Sequence, residues 1–408
     1  MQIDKSKNKF WYQCTNCGRE YSVREVKYLC PDCALQNRDD LPPKGVLKVI
    51  YPYQALRAEK LDFERLKSNH FLELLPIQNL DSLPFLQVGN TPLYQADKDL
   101  FFKDDSQNPS YSFKDRASAL VSAYAKEQGW LTIVAASTGN AGSSIASICA
   151  AQKQRAIVLV PEKAPVAKLA QIMMYGATII PVKGSYDDAF DLSVEASEEF
   201  GWYNRNTAYN PFTIEGKKTV SYELFDQLKM QIPDRIFVPV GDGVIISGVY
   251  KGFEDLLHLG FIDKIPQIIA VQAQGSSNLI DNLNTLDFKI KQSTTVADSI
   301  SVDIPRNFFM AQQFMQTYHG DGILVSDEAI LAASSKLSQT YGLFAEPAAA
   351  AAYAGYLQWQ SEGKFTPNTK NVVLLTGSGL KDTAAIKSIL KKPDSIIPDI
   401  QHLKTMLS

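Results

Sequence analysis

Asn108-Pro109-Ser110-Tyr111-Ser112-Phe113-Lys114-Asp115-Arg116-Ala117 carries a turn former at one end and a helix opener at the other. Asn-Pro forces a turn, and Lys-Asp-Arg-Ala can start a helix, so Lys114 is expected at a strand-to-helix junction and not on a solvated face. An amine fixed in this way can form a Schiff base with a carbonyl. Taken alone it reads as an ordinary surface cation, and its neighbours decide between the two.

From about residue 100 onward, short β-branched runs alternate with helical segments. The runs fall at 131–135, 156–160, 178–182, 236–240, 268–271 and 372–375, and helix-like segments at 167–175, 188–200 and 215–227. That alternation predicts a parallel α/β protein, in which ligands gather beyond the carboxyl ends of the strands. The tract Glu346-Pro347-Ala348-Ala349-Ala350-Ala351-Ala352 reads as a tightly packed helix started by proline.

Composition narrows the classes. A chain of 408 residues with 45% hydrophobic and 21% charged residues can bury a full core. Its net charge of −3 gives no global pull toward nucleic acid or an anionic membrane. No apolar run approaches a membrane span, and Met1-Gln2-Ile3-Asp4-Lys5 lacks the apolar core of a signal peptide, so a cytoplasmic location is expected. The partner expected is a small molecule, with no nucleic acid and no membrane.

Four of the five cysteines stand within the first 33 residues. Cys14-Thr15-Asn16-Cys17 and Cys30-Pro31-Asp32-Cys33 form two C-x-x-C knuckles around a strand-like spacer, the pattern of a four-thiolate zinc ribbon. Four protein thiolates leave no open position, so the zinc is expected to be structural. Asp39-Asp40-Leu41-Pro42-Pro43-Lys44-Gly45 then reads as a linker, and Cys149, in an apolar segment, as a packing residue.

Three strand-to-helix junctions are rich in small residues and hydroxyls. Ser137-Thr138-Gly139-Asn140-Ala141, after the strand at 131–135, places amides and hydroxyls where a carboxylate could bind. Gly241-Asp242-Gly243-Val244-Ile245 lets the backbone turn its N–H groups toward a phosphate at a helix start. It has neither the spacing of a dinucleotide fingerprint nor that of a P-loop, so a nicotinamide cofactor or ATP is not supported. Thr376-Gly377-Ser378-Gly379 supplies a hydroxyl at a strand end that can meet a heteroaromatic nitrogen. A positioned amine, a carboxylate loop, a phosphate loop and a neutral partner for a ring nitrogen are together what pyridoxal phosphate requires.

In order along the chain, these stretches resemble the motifs of the fold-type II pyridoxal-phosphate enzymes, most of all threonine synthases. Gly89-Asn90-Thr91-Pro92-Leu93 is similar to G-x-T-P-L, and 108–117 to N-P-T-G-S-F-K-D-R-G, whose lysine carries the cofactor. Ser137-Thr138-Gly139-Asn140 is similar to S-T-G-N, Asn210-Pro211 with Glu215-Gly216-Lys217-Lys218-Thr219 to N-P…E-G-x-K-T, and Pro239-Val240-Gly241-Asp242-Gly243 to P-V-G-N-x-G-N. Glu346-Pro347-Ala348 resembles E-P-A-S-A, and Thr376-Gly377-Ser378-Gly379-Leu380-Lys381-Asp382 resembles T-G-H-G-L-K-D.

The resemblance implies two open parallel or mixed twisted sheets flanked by helices, tryptophan synthase β-like, with the zinc ribbon ahead of them. The implied domains are 1–45 for ribbon and linker, 46–105 with 212–408 for a large cofactor-binding domain, and 106–211 for a smaller one. It implies Lys114 as the cofactor-bearing lysine and the base at the substrate Cα. Asn140 would meet the cofactor's phenolic oxygen, 241–245 its phosphate and Thr376 its ring nitrogen. Ser137, Thr138, Gly139 and Ala141 would hold the substrate carboxylate, and Cys14, Cys17, Cys30 and Cys33 the zinc. A homodimer is implied as well. The implied activity is that of a carbon–oxygen lyase turning O-phospho-L-homoserine and water into L-threonine and phosphate.

Departures from the family pattern are concentrated. Tyr111 stands at a family glycine, where a large ring is expected beside the lysine, and Ala117 at another. Asp242 replaces asparagine, and Ser378 replaces histidine. Thr295-Val296-Ala297-Asp298-Ser299-Ile300-Ser301-Val302 departs from T-x-A-x-x-I-R-I-G-N-P and is closer to the T-x-A-D-G-I-A-V of serine/threonine dehydratases. A dehydratase or a cysteate-synthase-like β-replacement enzyme is therefore the alternative.

Overall fold

The computed structural model describes residues 8–59, 61–285, 287–390 and 393–407; Met1 to Lys5, read above for a signal peptide, lie outside them. A ribbon of three antiparallel strands opens the chain: β1 (Trp11–Cys14), β2 (Glu20–Tyr21) and β3 (Leu47–Ile50), in the order β2-β1-β3. β3 follows the 39–45 linker and joins the ribbon to the body. Next come β4 (Leu93–Gln95) and β5 (Leu100–Asp104), then β6 (Thr132–Ala136), β7 (Arg155–Pro161), β8 (Thr178–Val182) and β9 (Tyr203–Asn204). The last four strands are β10 (Arg235–Pro239), β11 (Gln267–Ala273), β12 (Asp321–Val325) and β13 (Asn371–Leu375).

β6–β9 form a parallel four-stranded sheet in the order β8-β7-β6-β9. The others form a six-stranded sheet in the order β12-β11-β10-β13-β5-β4, parallel except for the edge strand β4. These are the two open sheets expected, and the strands read from the sequence agree to within one or two residues. β4, β5, β9 and β12 were not read; β9, two residues long, carries no periodicity. Central strands are buried on both faces, as in β13, where all five residues are inaccessible; continuous apolar runs replace alternation in such strands. Helix Pro347–Ser361 packs its alanines on the large sheet, and helix Tyr186–Glu199 starts at a capping box between Ser185 and Asp188.

One helical expectation is corrected. The segment 215–227 is two helices, Phe212–Lys217 and Thr219–Gln227, joined at Lys218. Lys218 is buried at that junction and ion-paired to Glu215 (2.5 Å) and Asp255 (2.7 Å). Gly216 lets the first of the pair touch helix Lys114–Glu127, since a Cβ there would lie 2.1 Å from the Arg116 carbonyl oxygen. That contact seats the lysine-bearing helix against helix Phe212–Lys217.

Candidate active site

Lys114 is the first residue of helix Lys114–Glu127, and the two loops that flank it fix its place. Residues 111–113 run antiparallel to the end of β13: the Phe113 amide donates to the Thr376 carbonyl (2.8 Å), the Ser378 amide to the Tyr111 carbonyl (3.1 Å), and Ser112 bridges Gly377. Asp115 turns back to accept from the Ser110 amide and hydroxyl, both at 2.6 Å. Arg116 is buried between Asp105 (2.6 Å) and Glu223 (2.5 Å). The 89–93 motif serves this network: Asn90 donates its amide to Glu223 (2.7 Å), and Thr91 its hydroxyl to Asp105 (2.6 Å).

The lysine faces a cavity of about 470 Å³, within the range of small-molecule sites. Of the residues singled out in the sequence, Lys114, Ser137, Thr138, Gly139, Asn140, Ala141, Gly241, Asp242, Gly243, Val244 and Ile245 line it. The structure brings two of the three small-residue loops onto one space around the amine. Thr376 is not on the lining; it is buried behind Lys114, where its carbonyl holds the Phe113 amide.

The expectation for Tyr111 is corrected. Its side chain is 53% exposed and absent from the lining, so no ring stands beside the lysine. Its φ of +66° explains the family glycine instead: the position needs the left-handed region.

Burial lowers the Lys114 pKa; Glu346 works against that effect and Arg205 adds to it. Asn140 opens helix Asn140–Gln152 and donates its amide to both carboxylate oxygens of Glu346 (2.9 and 3.0 Å) and to Ser299 (3.3 Å). Burial raises the Glu346 pKa, against the pull of Asn140 and Lys114. Asp242 turns its carboxylate to the Arg306 amide (3.3 Å), and burial raises its pKa as well.

Gly243 has φ +83° at the start of helix Val244–Leu259, and a Cβ there would lie 3.0 Å from Leu279. Only glycine suits this turn, which presents the first amides of a sixteen-residue helix to the cavity. A buried amine beside such a cradle fits pyridoxal phosphate: Lys114 would hold its aldehyde carbon, and 241–245 its phosphate.

Several lining residues were not assigned from the sequence. Arg205 and Thr207 follow β9, Lys217 ends helix Phe212–Lys217, and Tyr186 and Asp187 open helix Tyr186–Glu199. Lys217 lies inside the quoted 215–219 motif, at its variable position. Two ion pairs join the smaller-sheet side to the loop 298–306 of the other: Lys168 with Asp298 (2.8 Å) and Arg306 with Asp187.

In the ribbon, the four sulfurs of Cys14, Cys17, Cys30 and Cys33 lie within 4.8 Å of one another and none forms a disulfide. Cys14 and Cys33 are 3.7 Å apart, and Cys17 and Cys30 3.8 Å. A tetrahedron with metal–sulfur bonds of about 2.3 Å has edges of about 3.8 Å, so the cluster is compatible with zinc. Cys149 is buried and free. No helix among the described residues is long and apolar enough to cross a membrane.

Comparison with known proteins places this geometry. Residues 84–377 match the family described as pyridoxal-phosphate dependent enzyme. The chain is 35% identical over 412 aligned residues to the threonine synthase of Methanocaldococcus jannaschii, covering 97% of this chain and 98% of that protein. It is 33% identical over 409 residues to the threonine synthase of Methanosarcina acetivorans, covering 96% and 97%. Among solved structures, maize serine racemase superposes with a TM-score of 0.63 at 23% identity, over 78% of this chain and 94% of that one. The processed threonine deaminase isoform 2 of Solanum lycopersicum gives 0.62 at 23%, over 71% and 79%; at this identity the likeness concerns the fold. A lysine at a strand-to-helix junction, two small-residue loops on one cavity and near full-length relatives agree: the chain belongs to the fold-type II pyridoxal-phosphate-dependent enzymes, in their threonine synthase-like group.

Proposed function

We propose that the protein is a pyridoxal-phosphate-dependent lyase that converts O-phospho-L-homoserine and water to L-threonine and phosphate. The observation that carries the reading is the convergence of Lys114, the 137–141 loop and the 241–245 amides on one cavity, in a chain whose near full-length relatives are threonine synthases. The cofactor, when bound, supplies an electron sink for negative charge developing at the substrate Cα.

The protein's own groups do the rest. Amides at 241–245 hold phosphate against the helix dipole. Ser137, Thr138, Gly139 and Ala141 hold the substrate carboxylate and so fix which Cα bond faces Lys114. Burial lowers the Lys114 pKa, which favours the neutral amine that can take the Cα proton. Asn140, held by Glu346, offers its amide to the phenolic oxygen, and Thr376 is the hydroxyl assigned to the ring nitrogen. Structural zinc in the four-cysteine ribbon, a homodimer and a cytoplasmic setting belong to the same reading.

The alternative, a serine/threonine dehydratase or a cysteate-synthase-like β-replacement enzyme, is favoured by Ser299 and Ser301 on the lining, where the synthase pattern has an arginine at 301. Incubation with O-phosphohomoserine, serine and threonine in parallel separates the readings. Equal release of phosphate and threonine from the first is expected. Phosphate without threonine, or ammonia from serine, would exclude the synthase. A visible absorbance band from bound cofactor is expected in the isolated protein and absent from Lys114→Ala; a wild-type protein that cannot acquire it would remove the whole reading.

A further inference from the structure

The cavity holds more buried cations than the proposed chemistry uses. Arg205 is 1% exposed; its Nε donates to Ser118 Oγ (3.2 Å), its Nη1 to Thr207 Oγ1 (3.3 Å), and its Nη2 is buried without a partner. Lys217 is fully buried, and its Nζ reaches the Thr213 carbonyl at 3.2 Å. Among the described residues neither has a carboxylate within ion-pair distance, in contrast to the equally buried Lys218 next along the chain. Both line the cavity with Lys114. Burial lowers both pKa values, that of Arg205 to about 10; Arg205 and Lys114 further disfavour charge on Lys217, and the more distant carboxylates Asp242 and Asp115 offset this only in part, Asp242 at Lys217 and Asp115 at Arg205.

Two buried basic side chains on one cavity with no ion-paired carboxylate are costly, and a ligand that brings negative charge offsets that cost. The other anions of the site already have places. The 241–245 amides suit one phosphate, and the 137–141 loop suits the α-carboxylate. What remains is a negative group on the substrate side chain.

We propose that Arg205 and Lys217 form a second anion subsite on this cavity, which takes the phosphate on the side chain of an amino-acid substrate. The proposal rests on reading the cavity as a pyridoxal-phosphate amino-acid site, but not on which reaction follows. The same chemistry could serve the cofactor's own phosphate, and the test separates the two sources.

The holoenzyme, Arg205→Met, Lys217→Met and Arg205→Lys are titrated with O-phosphohomoserine, O-phosphoserine, homoserine and serine, following the absorbance of the bound cofactor. Wild type should bind a phosphorylated amino acid roughly tenfold or more tighter than its neutral counterpart. Each methionine variant should lose roughly ten- to a hundredfold for the phosphorylated ligands and about twofold or less for the neutral ones, the scale of one charged hydrogen bond. Arg205→Lys should recover part of the loss.

Equal wild-type affinity for phosphorylated and neutral ligands overturns the proposal. In a second arm, apoprotein is loaded with pyridoxal phosphate or with pyridoxal. A loss in the variants confined to the phosphorylated form assigns the pair to the cofactor and likewise overturns it. In the ligand-free protein, Arg205→Met should raise the melting temperature by removing an unpaired buried charge. If both variants melt lower and still discriminate as wild type does, the pair is only packing and the proposal falls. If no threonine forms but the preference for phosphorylated ligands vanishes in the variants, the subsite stands and the synthase reading falls.

Discussion

Three consecutive side chains, Lys114, Asp115 and Arg116, leave one helix start in three directions: to the cavity, to Ser110 and to the buried pair Asp105 and Glu223. The three-residue run is thus an amine and two anchors that keep it still. Tyr111, three residues earlier, bears the cost of a left-handed backbone without lining the site. Tyr111→Gly should therefore raise unfolding free energy by up to about 1 kcal/mol, relief of backbone strain less the extra freedom glycine gives the unfolded chain. Urea denaturation checks it, and a clear loss of stability would show that the ring contributes packing the structure does not display. Most of the cavity-lining residues named from the sequence were legible because their motifs require special backbone or a particular functional group. Arg205 and Lys217 were not. A cation without a partner is a property of the packed interior, and no spacing in the sequence announces it.

At the scale of elements, the helix that begins at Lys114 is tied to Thr219–Gln227 through Glu223. Burial alone would raise the Glu223 pKa, but Arg116 and Lys103 hold it down to about 2. A carboxylate depressed from an ordinary value of about 4.3 contributes stability that is fully present above that pH and is lost as pH falls toward the folded value. Acid unfolding between about pH 4.3 and 2 should accordingly have a component that Glu223→Gln removes, and the variant should already be less stable at neutral pH by about 3 kcal/mol. Calorimetry across that range decides; an unchanged slope would mean that the pair is not coupled to folding. The sequence showed these elements as one helix over 215–227. The break at Lys218 was hidden because Glu215, Lys218 and Asp255 meet only in three dimensions. The buried strands β7, β10, β11 and β13 were legible; β5 was not, because Lys103 and Asp104 interrupt its apolar run, and β9 was not, since two residues between Trp202 and Arg205 give no pattern to read.

Over the whole molecule, the ribbon is fastened to the segment that carries Arg205 and Lys217. Phe10 and Tyr12 pack on Phe212 at 5.7 and 6.0 Å between ring centroids, Tyr51 donates to Glu215 (2.7 Å), and the Tyr28 hydroxyl accepts from the Asn204 amide (2.8 Å). If the four cysteines hold zinc as proposed, chelating it should therefore lower the melting temperature and weaken binding of phosphorylated ligands before the cofactor band is lost. Metal analysis, calorimetry and absorbance titration test this; a chelated protein with full ligand affinity would confine the ribbon to local structure. The two-sheet architecture was legible in the alternation of elements, but the strand order was not, because pairing partners far apart in sequence leave no local trace. That order places β13 between β10 and β5, with the backbone partners of Tyr111, Ser112 and Phe113 directly after it. On the ribosome, β6–β9 are available to pair with one another long before β13 exists. The large sheet stays split, and the lysine's junction stays open on one side, until residues 371–378 have emerged. The lysine's junction is thereby completed only after all four strands of the smaller sheet have been made.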